Sequence, residues 1–372
     1  MTEGTLDVAI VGCGIIGVNH ARAIALIPGL RITALVDEVP AATERLAALI
    51  VDELGGERPT AHADIEAIPD GVSVVVICTP SGSHVELAER AVARGMHVVL
   101  EKPLDVSMAR GRRLAEIARD AEARGIRISV ISQHRYDPGA VAVAEAAHTG
   151  RLGRITSAVA TVPWWRSQEY YDSGAWRGTW ELDGGGAVMN QGVHTVDLLL
   201  WFLGAPVEVF AHTALLAHER VEVEDVAVVT LRFESGALAV LHATTAAFPD
   251  QPVRVAVHGA QGSGIIENDQ LAHLWVDGET TDRTADWVPA GHRLGDERDP
   301  QAFADGHARQ YADIVDSIRS GRPSRVGVPE ALLALAAVRG IYVSATTGAP
   351  VRIAGLIDGS VDDSEVRTGG IA

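Results

Sequence analysis

Cysteine is almost absent from this 372-residue chain: Cys13 and Cys78 are the only two, each at the end of an apolar run that reads as a buried strand. That pair excludes a disulfide framework and a cysteine-rich metal site. Histidines and carboxylates show no metal-ligand spacing either, so no metal is expected. Long apolar runs are missing. Stretches such as "VSVVVIC" fall far short of the roughly 20 residues that span a bilayer, and "MTEGTLDVAIVGCG" lacks the basic-then-apolar build of a secretory leader. Positive charge is in short supply: 31 Lys and Arg face 49 Asp and Glu, a formal net charge of −18. A surface of that sign repels nucleic-acid phosphates and anionic membranes. The absences together predict a cytoplasmic protein that acts on small molecules.

A chain of 372 residues exceeds the size at which one core stops growing, so two domains are expected. In the first third "LDVAIVG", "RITALVD", "VSVVVICTP", "HVVLEKP" and "RISVIS" alternate with Ala-rich helical stretches. Strands apolar throughout and separated by helices indicate a doubly wound parallel sheet covered on both faces. Beyond Gln133, runs such as "EDVAVVTLRF" and "GALAVLHATTAA" alternate apolar and polar residues, which predicts an antiparallel sheet with one buried face. Helices near 138–149, 186–203, 304–319 and 329–346 are expected on or beside that sheet. The predicted organisation is an α/β Rossmann domain over 1–133, an α+β domain over 134–355, and a Gly- and Asp-rich, loosely ordered tail over 356–372.

"VAIVGCGIIGVNHARAI" places Gly12, Gly14 and Gly17 in a G-x-G-x-x-G between strand and helix, with Ile15 and Ile16 inside it. The glycines allow a tight turn, close backbone approach and close helix packing, and the helix N-terminus aims at a pyrophosphate. Asp37, twenty residues after Gly17, ends the second strand, where a carboxylate accepts hydrogen bonds from the adenosine ribose diol. Asp37 and Glu38 together would repel a 2′-phosphate, which favours NAD over NADP. Two more strand ends belong to this edge. Thr79, Pro80, Ser81 and His84 of "TPSGSH" can line the nicotinamide side. Glu101 and Lys102 of "LEKP" stand just before a proline, where a lysine could polarise or protonate a substrate oxygen.

"LDGGGAVMNQGVHTVDLLLW" is a glycine-triplet turn feeding an apolar helix that nonetheless carries Asn190, His194 and Asp197. At 3.6 residues per turn these share one stripe with Trp201. Ahead of that turn, "PWWRSQEYYDSGAWRGTWELDGGG" holds four of the seven tryptophans together with Arg166 and Arg177. Aromatic faces stack on pyranose CH faces and arginine forks bind hydroxyls or anions, so Trp165, Arg166, Trp176 and Arg177 read as a sugar clamp suited to an anionic substrate.

Taken together, "GCGIIGVNH", "CTPSGSH", "LEKP" and "GGGAVMNQGVHTVD" resemble the glucose-fructose oxidoreductase, inositol dehydrogenase and rhizopine-catabolism family, Gfo/Idh/MocA, from about residue 6 to 353. The resemblance implies a large open C-terminal sheet that commonly forms the oligomer interface, hence a homodimer or homotetramer. It implies that Lys102 is the active-site lysine and His194 the catalytic histidine, and it sets Gln133 and His134 against substrate. The family often has Asp four residues before that histidine; here Asn190 stands there and can orient the ring without supplying charge. The implied activity is hydride transfer between a ring carbon, C3 by resemblance, of a sugar, sugar derivative or cyclitol and NAD. Some relatives are NAD-dependent glycosidases that oxidise C3 only transiently, and the residues do not separate the two routes.

Overall fold

The computed structural model describes residues 4–288 and 300–367, which form two compact units. The first consists of the residues up to Asp105, Arg110–Gln133, and a return from the far end of the chain that closes at Ala331. The remainder is the second unit.

In the first unit, β1 (Leu6–Val11), β2 (Leu30–Val36), β3 (Thr60–His62), β4 (Val74–Ile77), β5 (His97–Leu100) and β6 (Ile128–Val130) form one parallel sheet in the order β3-β2-β1-β4-β5-β6. Its central strands need no polar face: Val8, Ala9, Ile10, Val75, Val76 and Val99 are each 0% exposed. The edge strand β3 has only Thr60, Ala61 and His62 and no apolar run to announce it. Pro40 opens the helix Pro40–Asp52, where its fixed φ suits the first turn and its missing N–H costs nothing.

Helix Pro300–Ser320 corrects the sequence-based expectation that it accompanies the second sheet. Ala308, Tyr311 and Ile314 join the first unit's core with Val8, Ile10, Ile24 and Leu46. Gln310 ties the helix to the end of the parallel sheet, accepting from Ser132 N (2.9 Å) and donating to Val130 O (2.8 Å). An amphipathic pattern states that a face is buried, not against which sheet.

The second unit holds β7 (Ile155–Pro163), β8 (Pro206–Ala214), β9 (Val226–Phe233), β10 (Leu238–Thr244), β11 (Arg254–Gly259), β12 (Gly262–Glu267), β13 (Gln270–Trp275) and β14 (Val351–Arg352). Their order is β13-β12-β11-β7-β10-β9-β8-β14, antiparallel except where β10 meets β7. Side chains alternate as predicted: Ala227, Val229, Leu231 and Phe233 of β9 point into the core, while Val228, Thr230 and Arg232 point out. Register extends the outer face across strands, with Val240 opposite Val159 on one side and Thr230 on the other, and Thr230 opposite Phe210. Val159, Val228, Leu238 and Val240 remain 39–57% exposed there.

Helix Val328–Thr347 is long and apolar enough by composition to cross a membrane, but 78% of that span is buried in the protein, as befits a core helix. The tail is not loose where it is described. Asp363 forms a buried ion pair with Arg339 (2.7 Å) and accepts from Met108 N (3.1 Å), and Arg367 N donates to Thr346 Oγ1 (2.9 Å). Composition suggested disorder; one buried arginine supplies the partner that fixes the segment.

Candidate active site

In the first unit the glycine motif turns from β1 into helix Ile15–Ala25. Gly12 sits at φ +91°, and a Cβ there would lie 2.8 Å from the Cys78 carbonyl; one at Gly17 would lie 2.3 Å from Gly12 O. Gly14 is different, because a Cβ there would meet nothing within 4 Å. The turn therefore needs two glycines for its own packing and leaves the third facing open space, as a cradle for an approaching phosphate requires. Among hydrogen bonds in the turn, Asp37 accepts from Cys13 N and Val39 N, each at 2.8 Å, so its carboxylate is fixed at the strand end with lone pairs to spare for a diol. Ile15 is 77% exposed at the helix start. These residues fit an NAD molecule.

The other strand ends are more internal than their motifs suggested. His84 is buried, its ring nitrogens 2.9 Å from Pro103 O and 3.0 Å from Thr79 O, so it clamps two loops together. Ser83 Oγ donates to Pro80 O and lies within hydrogen-bond distance of Thr79 Oγ1, both at 2.8 Å, which fixes the loop. Glu101 is likewise turned inward. Its Oε1 accepts from His20 Nε2 (3.0 Å) and lies 3.5 Å from His307 Nε2, and its Oε2 accepts from Lys102 N (3.0 Å). Burial opposes its charge, but the hydrogen bonds from His20 and His307 prevail and hold the carboxyl well below the usual range. Burial in turn pushes His20 down, so a neutral ring donates to Glu101 and accepts the Tyr311 hydroxyl at 2.6 Å. Lys102, half-buried on this platform, is the only lysine of the chain.

In the second unit the predicted helix over 186–203 begins as a π segment, Ala187–Gly192, and becomes α-helical over Val193–Leu203. The polar stripe is thereby divided among three partners. Asn190 Nδ2 donates to Asp183 Oδ1, and Asp183 Oδ2 accepts from Gly178 N (2.7 Å). The His194 ring stands edge-on to the His134 ring with centroids 4.9 Å apart. Asp197 forms a two-pronged ion pair with Arg135 (2.6 and 2.7 Å), and the same guanidinium lies over Trp201 at 5.7 Å. Asp197 is thus matched by an arginine and serves to hold the segment before the helix. His134 in turn contacts Asp137 Oδ2 (2.7 Å) and Asp269 Oδ1 (3.3 Å). Burial works to lower its pKa, yet Asp269, Asp137 and Asp197 outweigh it and raise it to about 9, so His134 is a cation at neutral pH.

Two His–carboxylate trios, His20–Glu101–His307 and His134–Asp137–Asp269, bring donor atoms within 4.8 Å of one another, a proximity that sequence spacing did not show. Their shortest contacts, 3.0 and 2.7 Å, are hydrogen-bond lengths between the groups themselves.

The aromatic loop gathers its arginines around one ring. The Arg166 guanidinium lies 4.9 Å from Trp164 and 5.3 Å from Tyr170; that of Arg177 lies 4.3 Å from Tyr170 and 4.4 Å from Trp176. Arg166 donates to Trp165 O and Gln191 Oε1, both at 3.1 Å, while its buried Nε has no hydrogen-bond partner among the described residues. His218 braces the loop: its Nε2 donates to Arg166 O (2.8 Å), and Asp225 holds its other nitrogen at 3.0 Å. Trp165 packs edge-on against Phe248 at 5.3 Å. Gln133 is buried at the end of the parallel sheet in the first unit, and His134 is counted with the second. Sequence reasoning missed Asp183, Arg135, His20, His307 and Tyr311. Of these, His20 closes the glycine motif and Asp183 stands beside the glycine triplet, both within quoted stretches; the others lay outside them.

A 3-2-1-4-5-6 parallel sheet with an open glycine cradle and an aspartate fixed at the end of its second strand defines an NAD-binding oxidoreductase, here joined to a mainly antiparallel unit. Residues 6–128 match the oxidoreductase family with an NAD-binding Rossmann fold, and residues 140–265 match the GFO/IDH/MocA C-terminal domain. The chain belongs to the Gfo/Idh/MocA family. It is 29% identical to an inositol 2-dehydrogenase of Rhizobium meliloti, over 91% of this chain and 97% of that one. It is 26% identical to a myo-inositol 2-dehydrogenase of Thermotoga maritima, over 89% and 93%. Among solved structures, the WlbA dehydrogenase of Bordetella pertussis in complex with NADH and UDP-GlcNAcA is 28% identical, with a TM-score of 0.81 over 95% of this chain and 99% of that one.

Proposed function

We propose that this NAD-dependent oxidoreductase oxidises a ring hydroxyl, at C3, of a sugar, sugar derivative or cyclitol that carries an anionic group. The sugar or cyclitol class is supported by the inositol dehydrogenases among its relatives. The anionic group is supported by one observation: Arg166 and Arg177 stack on either aromatic neighbour and on Tyr170, and neither meets a carboxylate among the described residues, in a protein of net charge −18. In so acidic a chain, arginines whose charge is met by aromatic faces and neutral acceptors instead of carboxylates retain a positive charge for an outside anion. NAD, when bound, supplies the hydride acceptor. In this reading His194 takes the hydroxyl proton, Lys102 hydrogen-bonds the oxygen as charge develops on it, and Asn190 orients the substrate. A homodimer or homotetramer through the open sheet belongs to the same reading, supported by the apolar outer face.

The test is a panel of neutral and acidic p-nitrophenyl glycosides and free inositols with NAD limiting, following NADH and nitrophenol together. NADH rising to the level of added NAD, with acidic substrates preferred and the preference lost in an Arg166→Ala, Arg177→Ala double variant, is the expected result. Unchanged turnover of anionic substrates in that variant removes the anion site. Nitrophenol released over many equivalents of NAD would replace a dehydrogenase with a redox-assisted glycosidase.

A further inference from the structure

A helix that begins inside a protein leaves its first N–H groups without helical partners. At the start of the π segment every one of them is met by two residues from elsewhere. Gly186 N donates to Glu224 Oε2 (2.9 Å), Ala187 N to Glu224 O (3.1 Å), Val188 N to Glu224 Oε1 (2.8 Å), and Met189 N to the Tyr342 hydroxyl (3.1 Å). The Tyr342 hydroxyl donates to Glu224 Oε1 (3.0 Å), which locks the two caps together. Asn190 N is the first to find a partner in its own helix, Gly186 O at 3.0 Å. Glu224 and Tyr342 are both 0% exposed. The glycines before the helix are shaped by these caps: a Cβ at Gly186 would lie 1.8 Å from Glu224 O, and one at Gly185 would lie 2.2 Å from the Tyr342 hydroxyl.

We propose that Glu224 and Tyr342 are positioning residues, which fix the first turn of the segment carrying Asn190 and His194 and so set where those two side chains stand. The inference rests on the proposed role of His194 in proton transfer. Glu224 anchors the segment at residues 186–188, and the Arg135–Asp197 pair anchors it at the next turns. Between two fixed points the chain takes the wider π turn over Ala187–Gly192. A carboxyl suits this place because both of its oxygens can accept; burial raises its pKa to about 7, against the opposing pull of the Val188 and Gly186 N–H groups and the Tyr342 hydroxyl. Neither residue is assigned to contact substrate; both act through the backbone.

The test uses the full-length, NAD-loaded protein and the variants Glu224→Gln and Tyr342→Phe. Gln keeps the shape but turns an NH2 toward a backbone donor; Phe removes the hydroxyl cap and leaves both carboxylate bonds. Expected for Glu224→Gln is at least tenfold faster hydrogen exchange in the peptide covering 184–192, with β1 and β5 unchanged. The NMR titration midpoint of the His194 ring shifts, and kcat on the best substrate of the panel falls at least tenfold with KM and NAD affinity within about threefold. Tyr342→Phe moves the same readouts less. Exchange unchanged at 184–192 in both variants overturns the proposal, as does lost protection with the His194 titration unmoved. If wild-type protein oxidises no sugar, the functional reading fails, while exchange and the His194 titration still decide the positioning claim. If Glu224→Gln does not fold, Tyr342→Phe decides it alone.

Discussion

His134 carries the sharpest residue-scale consequence. Its pKa is raised to about 9 in the folded protein against an ordinary value of 6.5, with Asp137 at 2.7 Å and Asp269 at 3.3 Å supplying the charge that overcomes burial. For a cation with a raised pKa, the stabilisation is fully present below 6.5 and is lost as pH rises through 9. The size is on the order of 3 kcal/mol. Thermal unfolding followed from pH 6 to 9.5 should show wild-type stability declining between 7 and 9, and a His134→Gln variant should lack that decline; parallel curves would show that the ring is neutral throughout. The motif residues Asp37, Lys102 and His194 were readable from the chain because a short pattern carries each of them. The charge of His134 was not, because Asp269 reaches it from a hairpin far along the sequence.

At the scale of elements, the β1-to-helix turn separates packing glycines from a ligand-facing one. Gly12→Ala places a methyl 2.8 Å from backbone at a positive φ, so it should cost about 2 kcal/mol or more in denaturant unfolding. Gly14→Ala meets nothing within 4 Å and should leave the unfolding midpoint unchanged while weakening NAD at least tenfold by fluorescence titration. Equal destabilisation by both would refute the division. Alternation and glycine punctuation made most strands of both sheets legible in the sequence, including the inward set of β9, but not the short edge strand β3. Both helices involved were predicted, but three features were not legible for one shared reason: the π start of the helix over 186–203, the packing partner of the helix over 304–319 and the order of the tail are imposed from a distance. The π segment answers to Glu224 and Tyr342, the helix Pro300–Ser320 to the core around Ile24, and the tail to Arg339.

For the molecule as a whole, the outer face of the second sheet is the place where a net charge of −18 is not evident: Val159, Val228, Leu238 and Val240 lie there across three neighbouring strands. A cleft of about 400 Å³ lined in part by Thr161, His242, Gln251, Arg254 and Glu267 opens beside them. A Val228→Asp, Val240→Asp double variant should sediment as a monomer while binding NAD as wild type does. An unchanged sedimentation coefficient would show that this face makes no contact between copies in solution.

The return of residues up to Ala331 to the first unit has a bearing on how the protein is made. A ribosome releases the six strands of the parallel sheet early, but Tyr311, which caps His20, and His307, which faces Glu101, leave it nearly two hundred residues after β6. Until then the core that holds Val8, Ile10 and Ile24 lacks Ala308, Tyr311 and Ile314, and His20 and Glu101 lack Tyr311 and His307. The chain must synthesise most of its second unit before it can finish its first, so an expression fragment cut at Gln133 lacks the part of its own core that Ala308, Tyr311 and Ile314 supply.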